Sequence, residues 1–126
     1  MNGNRYLLDT NAIVFLLRQK NSKLNNILYN AEWIGVSVIS CLEFLIFPEL
    51  SDADKSIFDK FLNRVEIVNL DYEDENLITT IITLRKKYSI KLPDAIIAGS
   101  AYNFSATLIT GDKQLFKINE IETCSY

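Results

Sequence analysis

Four carboxylic acids are the residues of this chain that are best placed to do chemistry. Each stands where a helix or a strand is predicted to begin or end: Asp9, Glu43, Asp94 and Asp112. Like charges repel one another unless a positive charge lies between them, so acids gathered in one place indicate a divalent cation. The chain has no histidine, which excludes catalytic triads that depend on an imidazole.

Taken singly, each acid also has a structural explanation. An acid near a helix N-terminus gains about 0.3–1 kcal/mol, which would account for Asp94. Asp9 is able to cap the helix that follows it, and Asp112 comes after a glycine in a common turn sequence. Glu43 is harder to explain in this way. It is the only charge in the apolar segment 41–47, where an isolated charge requires a partner.

Oxygen-bearing neighbours extend this set of acids. Asn11 lies two residues after Asp9, and Thr110 lies two residues before Asp112. Oxygen ligands without sulfur or imidazole suit Mg²⁺ or Mn²⁺. These ions characteristically serve phosphate chemistry.

The elements that must position these residues alternate between strand and helix. Short apolar runs predict strands at residues 6–8, 33–38, 65–68 and 106–110, with a last edge strand near Ile121. Helices are predicted after Asn11, from Ser22 to near Asn30, from Ile39 through Phe47, from Ser51 to Leu62, from Asp71 to Lys87, and from Asp94 through Tyr102.

This alternation predicts an α/β fold with a mainly parallel sheet and helices on both of its faces. In such sheets, ligands bind at the carboxyl ends of the strands near the point where the strand order reverses. Asp9 and Asp112 both follow directly after apolar strands. If those two strands are neighbours, both carboxylates lie at the same edge of the sheet.

Length and composition place further limits on the protein. The 126 residues predict a single domain over residues 1–126, and 48% apolar with 23% charged residues is typical of a folded protein. No apolar run approaches the roughly 20 residues of a membrane span, and no signal-peptide pattern opens the chain. We therefore expect a cytoplasmic protein with no membrane partner. Cys41 and Cys124 lack metal-ligand spacing and are predicted to be free thiols.

Four segments together resemble a known family. They are LDTNAI at residues 8–13, SCLEF at 40–44, KLPDAIIA at 91–98 and LITGDKQLF at 108–116. In this order they resemble the PIN domain, and more narrowly the VapC-type ribonuclease toxins of toxin–antitoxin systems. The resemblance covers nearly the whole chain. It implies a three-layer sandwich with a central sheet of about 4–5 strands.

The resemblance also implies an activity, a metal-dependent endoribonuclease that uses Mg²⁺ or Mn²⁺ and cleaves RNA. The implied catalytic residues are Asp9, Glu43, Asp94 and Asp112, with Asn11 and Thr110 as supporting polar groups. Asp9, Asp94 and Asp112 are the implied metal ligands. Whether Glu43 binds metal or orients the attacking water stays open, as does the choice between one and two ions.

Two kinds of protein partner follow from the same resemblance, a second copy in a homodimer and a cognate antitoxin. The apolar side chains that suit such an interface are Phe15, Leu16, Phe44, Ile46 and Phe47. Core burial is the simpler outcome for most of them.

The net charge of −3 argues against a protein that binds nucleic acid through its overall charge. An RNA substrate therefore depends on the metal site and on local basic residues. The clearest basic cluster is 85–87. The candidate phosphate contacts are Arg18, Lys20, Lys91 and Lys113. Each of them is also explained as a solvated surface charge.

Three other functions share some of these sequence features. A haloacid-dehalogenase-like phosphatase requires a second aspartate two residues after the first, where this chain has Asn11. A phosphoreceiver domain requires a separate aspartate at mid-chain, but Asp71 and Asp74 are better explained as helix-start residues. The remaining alternative is a catalytically silent PIN-like module that binds RNA or protein.

Overall fold

The computed structural model describes residues 4–18 and 22–126, without the side chain of Ser22. The predicted phosphate contact Lys20 lies outside these residues. The strands are β1 Arg5–Leu8, β2 Trp33–Ser37, β3 Glu66–Val68, β4 Thr107–Ile109 and β5 Thr123–Cys124. The helices are α1 Thr10–Arg18, α2 Ser22–Tyr29, α3 Val38–Leu45, α4 Asp52–Leu62, α5 Glu75–Tyr88 and α6 Leu92–Asn103, with a short 3₁₀ helix at Leu115–Lys117.

The five strands form one sheet in the order β3-β2-β1-β4-β5, and every neighbouring pair is parallel. The predicted α/β class and parallel sheet are therefore confirmed. From β1 the chain continues outward on one side through β2 and β3, and then returns to the other side with β4 and β5. The strand order thus reverses between β1 and β4, which are direct neighbours.

Apolar residues cover both faces of the sheet and make it the middle of three layers. Successive residues of a strand point to opposite faces. Leu7 and Leu108 belong to the core formed with α5 and α6, whereas Leu8 and Ile109 belong to the core formed with α1, α3 and α4. The alternation within β1 and β4 thus buries helices on both sides, as a sandwich requires.

Small residues allow α6 to lie close to its neighbours. Residues 95–101 are all buried. A Cβ atom added at Gly99 would stand 2.7 Å from Cγ1 of Ile81 in α5. Gly99, one of these small residues, is required where α5 and α6 approach each other.

Several element boundaries differ from the predicted ones for local reasons. Helix α5 starts at Glu75 and not at Asp71, because the Asp74 side chain accepts a hydrogen bond from the Leu77 amide and caps the helix. The last strand lies two residues beyond Ile121. At the start of α4, Ser51 and Asp54 form a capping box.

Both cysteines are free thiols, as predicted, with Cys41 buried and Cys124 partly buried. Within the described ranges, no helix combines the length and the apolar character that crossing a membrane requires.

Candidate active site at the carboxyl edge of the sheet

Two of the acids meet because β1 and β4 end side by side. Asp9 is the first residue after β1, and its amide donates a hydrogen bond to the carbonyl of Ile109, the last residue of β4, at 3.1 Å. Thr110 and Asp112 follow on that strand. The expectation that Asp9 and Asp112 lie at one edge of the sheet is therefore fulfilled, and this edge is the place where the strand order reverses.

Two helices bring the other acids to the same place. Glu43 lies on α3, which begins directly after β2, and Asp94 lies in the first turn of α6. The carboxylates of all four acids line one open pocket of about 450 Å³. The remaining residues that line it are Thr10, Asn11, Ile46, Phe47, Pro48 and Ile97.

The hydroxyl of Thr110 connects two of these acids. It donates a hydrogen bond to Oδ2 of Asp9 and accepts one from the amide of Asp112 at 3.0 Å. The other oxygen of Asp9, Oδ1, accepts from the amide of Ala12 at 2.8 Å. Thr110 is completely buried and Asp9 is nearly so. The orientation of Asp9 is thus fixed from both sides by the protein itself.

Thr10 is a residue of this site that the sequence did not single out. Its hydroxyl donates to Oε1 of Glu43 at 2.6 Å and so joins α1 to α3. The available signal was a hydroxyl directly after Asp9, which is equally common at any helix start. Asn11, which was singled out, lines the pocket and is exposed.

The electrostatics of Asp9 reflect both burial and its acidic neighbours. Burial raises the pKa of the Asp9 carboxyl, while the hydrogen bonds from Thr110 and Ala12 act against this rise. The negative charges of Asp112 and Glu43 raise the same pKa. A group that feels two other acids in this way shares one electrostatic site with them.

The pKa of Asp94 depends in the same way on burial and on the neighbouring acids. Burial is the largest cause that raises its pKa, followed by the charges of Asp112, Glu43 and Asp9. Lys91 lowers this pKa, but it ranks last among the causes. No lysine or arginine of the described residues lines the pocket itself. The four acids therefore repel one another with little compensation from the protein.

The donor chemistry of the pocket fits a hard divalent cation. Carboxylate oxygens dominate, hydroxyl and amide oxygens accompany them, and sulfur is absent from the lining residues. In the part of the chain that is described, however, no three acidic or thiol side chains already form a group that could hold a metal ion. Mutual repulsion accounts for acids that surround a pocket without converging on one point.

An exposed apolar wall stands beside the acids. Phe44 is buried and stacks on Phe58 at 4.1 Å, but Ile46 is 76% exposed and Phe47 is 39% exposed. Core burial was expected for most of the five candidate interface side chains, and Ile46 and Phe47 are the two that are exposed. Helix α3 ends at Leu45, so the residues that follow leave the helical face that Phe44 buries.

Comparison with solved structures finds the same fold in complexes of toxin–antitoxin systems. VapBC2 from Rickettsia felis, solved with a DNA fragment from its promoter, matches with a TM-score of 0.80 and 24% identity over 96% of this chain and 98% of that one. A toxin–antitoxin complex from Klebsiella pneumoniae has a TM-score of 0.75, 24% identity and coverage of 92% and 94%. DNA-bound VapBC from Salmonella typhimurium has a TM-score of 0.75, 20% identity and coverage of 96% and 97%.

A sequence comparison with curated proteins gives no significant match. The sequence model of one family does match, and it spans nearly the whole chain, from β1 to the segment before β5. It covers all four acids of the pocket. Because residues 6–121 match the model of the PIN domain, this chain belongs to the PIN domain family.

Proposed function

We propose that this protein is a metal-dependent endoribonuclease that hydrolyses phosphodiester bonds in RNA, and that it acts in the cytoplasm as the VapC-type toxin of a toxin–antitoxin pair. The observation that carries the proposal is the single pocket lined by four acids at the edge of the sheet where the strand order reverses. Membership of the PIN domain family and the fold shared with toxin–antitoxin complexes support it.

Asp9, Asp94 and Asp112 would hold the metal, because they are the aspartates whose carboxylates line the pocket. When it is bound, Mg²⁺ or Mn²⁺ would neutralise the scissile phosphate, lower the pKa of a bound water and stabilise the leaving oxygen. Thr110 holds the Asp9 carboxylate in place through its hydroxyl and also binds the backbone of Asp112.

Glu43 would either bind the metal or orient the attacking water. Thr10 holds one of its oxygens, Oε1, and thereby fixes the direction in which the carboxylate points. The second oxygen, Oε2, is then available to accept a proton from a water molecule or to bind a metal ion. Asn11 adds an amide at the rim of the same pocket, where it would contact the substrate or an ordered water.

Incubation of the purified protein with labelled single-stranded RNA tests this function directly. Cleavage is expected with Mg²⁺ or Mn²⁺ and is expected to stop when a chelator removes the metal. The Asp94→Asn variant should lose at least about a hundredfold in rate, since a removed ligand typically costs several kcal/mol of charge stabilisation. Asp59→Asn, an exposed acid on α4, is the matched control and should keep the wild-type rate.

Cleavage that survives chelation, or that Asp94→Asn retains, would contradict the proposed mechanism. The second candidate function is a catalytically silent PIN-like module that binds RNA or protein. It has the same family membership and the same fold, because a fold does not by itself imply an activity. RNA binding without cleavage under every metal condition would support this second candidate.

A homodimer and a cognate antitoxin are the proposed protein partners. Leu42, Leu45 and Ile46 form an exposed apolar stretch of α3 and its end, at 54%, 45% and 76% exposure. Light scattering of the purified protein tests the dimer. Co-purification with the product of an adjacent short reading frame tests the antitoxin, and Ile46→Glu should weaken that complex if this surface takes part.

A further inference from the structure

One segment of this chain carries a net positive charge. Residues 85–119 hold six of the 13 lysine and arginine residues but only two acids, Asp94 and Asp112, and both of these line the pocket. The rest of the chain holds seven basic and 14 acidic residues. The chain is therefore negative overall, but the segment 85–119, which contributes Asp94 and Asp112 to the acidic pocket, is positively charged.

The segment after Asp112 displays its side chains in a regular way. The amides of Leu115, Lys117 and Ile118 each donate to the carbonyl three residues earlier. In this 3₁₀-type geometry, residues three apart share one side of the helix. Leu115 and Ile118 point inward and are buried. The Lys117 amide bonds to the Gln114 carbonyl, so these two residues share one outer side, and the same spacing assigns Lys113 and Phe116 to the other.

Both outer sides are accessible. Phe116 is 41% exposed, and Lys113, Gln114 and Lys117 are exposed as well. Gln114 and Lys117 line a second pocket of about 220 Å³ together with Tyr88, Ser89 and Ile90. This surface, which consists of Ser89, Lys91, Lys113, Gln114, Phe116 and Lys117, is called the lysine surface below.

The cations of the lysine surface are not used inside the fold. Lys87, their neighbour on α5, forms an ion pair with Glu120 at 3.0 Å. Across residues 4–18 and 22–126, neither Lys91, Lys113 nor Lys117 has an acidic partner within 4.0 Å. Without such a partner, these three lysines are free to bind an external anion.

The lysine surface directly adjoins the acidic pocket. Gln114 is two residues from Asp112, and the backbone amide of Gln114 donates a hydrogen bond to Oδ1 of Asp112 at 2.9 Å. Lys91 is three residues before Asp94 and acts on its carboxyl electrostatically. Since a residue spans at most about 3.6 Å of chain, the two sites lie within roughly 11 Å of each other. A strand that leaves the acidic pocket therefore reaches the lysines within a few nucleotides.

From this arrangement we infer that the lysine surface binds the single-stranded RNA that flanks the scissile bond, with lysines on the phosphates and one unpaired base stacked on Phe116. The inference rests on the proposed ribonuclease function. Lysines supply contacts to any nucleic acid backbone, but an exposed aromatic ring between them is the feature of single-strand binding, because the bases of a duplex are stacked already.

Fluorescence anisotropy in the presence of a chelator tests the surface without cleavage. The probe is an unstructured labelled RNA of about 12 nucleotides, compared with the same RNA in a duplex, at several salt concentrations. Wild-type protein should bind the single strand more tightly. The double variant Lys113→Glu/Lys117→Glu should lose at least about tenfold in affinity and flatten the logarithmic salt slope by about 1.4, as two lost phosphate contacts require.

Phe116→Ala should weaken single-strand binding by about tenfold and leave the salt slope unchanged, because stacking involves no counterion release. The matched controls are Lys55→Glu/Lys60→Glu on α4 and Tyr29→Ala at the end of α2, an aromatic residue that is 85% exposed. Both controls should bind within about twofold of the wild type. Circular dichroism and Tm verify that each variant is folded.

Wild-type affinity in the lysine and Phe116 variants would overturn the inference, even if the protein cleaves RNA efficiently. Equal binding of duplex and single strand would overturn it as well. If RNA binding depends on the lysine surface but no metal produces cleavage, the inferred role of the lysine surface in RNA binding is supported and the proposed ribonuclease function is contradicted. The two outcomes are therefore distinguishable.

Discussion

At the scale of single residues, the site depends on hydroxyl groups as much as on carboxylates. Thr110 donates to Asp9 and accepts from the amide of Asp112, while Thr10 donates to Glu43. Carboxylates that repel one another need such contacts to keep fixed orientations without a cation. Substitutions of these threonines therefore test the organisation of the site separately from its charge.

Replacing Thr110 by valine should reduce both stability and activity. Valine has a similar shape but leaves the Asp112 amide without its acceptor and Asp9 without one donor, which costs about 1–3 kcal/mol. Urea unfolding measures the loss of stability, and the cleavage assay measures the loss of rate. Thr110→Ser keeps the hydroxyl and should restore most of both, whereas equal losses in the two variants would contradict this role.

Replacing Asp94 by asparagine should stabilise the metal-free protein at neutral pH. The pKa of Asp94 is raised in the folded protein by burial and by its acidic neighbours, so the charged form is less favourable in the folded than in the unfolded chain. Folding stability is therefore greatest below the ordinary aspartate pKa and falls as the pH rises through the raised value.

The asparagine variant lacks this pH dependence. Its Tm should exceed that of the wild type by roughly 2–5 °C at pH 7, a modest difference because solvent screens a partly exposed carboxylate. The difference should vanish in acid, where wild-type Asp94 is protonated. Thermal unfolding in chelator at several pH values measures it, with Asp59→Asn as the control. A variant that is less stable than the wild type at pH 7 would show that repulsion is not dominant.

At the scale of elements, the contact between α5 and α6 holds one wall of the pocket in place. Asp94 lies in the first turn of α6, and the same helix packs against α5 at Gly99 and Ile81. The N-terminus of α6 can position Asp94 accurately only if the rest of the helix is fixed. The amount of space at Gly99 therefore affects both the core and the site.

Replacing Gly99 by alanine should destabilise the protein, although alanine is the better helix former. The new Cβ atom would stand 2.7 Å from Cγ1 of Ile81, so the Ile81 side chain would have to shift within the packed contact between the two helices. Overpacking costs about 1–3 kcal/mol, and the gain in helix propensity offsets only about 1 kcal/mol of this. Chemical denaturation measures the result. In the double variant with Ile81→Ala, which removes Cγ1, a total loss smaller than the sum of the two single losses would locate the strain at this contact, and a stabilised Gly99→Ala would exclude it.

At the scale of the whole molecule, the order of the strands brings distant segments to one edge. Asp9 and Thr110 are hydrogen-bonded across 101 residues of sequence, and Thr10 and Glu43 across 33. The same arrangement places an acidic pocket beside a basic surface in a protein with a net charge of −3. A dication in the pocket would relieve repulsion among acids from four separate parts of the chain.

Mg²⁺ or Mn²⁺ should therefore stabilise the folded protein as a whole. A ligand that binds only the folded state at a hundredfold excess over its Kd adds about 2.7 kcal/mol, which raises Tm by roughly 10 °C in a protein of this size. Calorimetry in matched buffers measures the shift, and K⁺ at the same ionic strength is the control. Asp94→Asn should reduce the shift, and an unchanged Tm in the wild type would argue against a metal site.

The sequence by itself determined the features that arise locally. Alternating apolar runs fixed the α/β class and the parallel sheet, since hydrophobic period and chain handedness leave few alternatives. The capping box at Ser51 and the acids that end up in one pocket were also visible in the sequence. Their places at the ends of predicted elements and the order of the four motifs allowed those acids to be grouped before their positions in space were known.

The tertiary structure decided everything that depends on long-range pairing. It joined Thr10 to Glu43 across two helices, it left Ile46 and Phe47 exposed beside the pocket, and it brought Gln114 of the lysine surface together with Ser89 and Ile90 from a distant part of the chain. A helical pattern shows which side chains share one face, but not whether another element covers that face. The physical reason is that burial and charge pairing are set by neighbours from elsewhere in the chain.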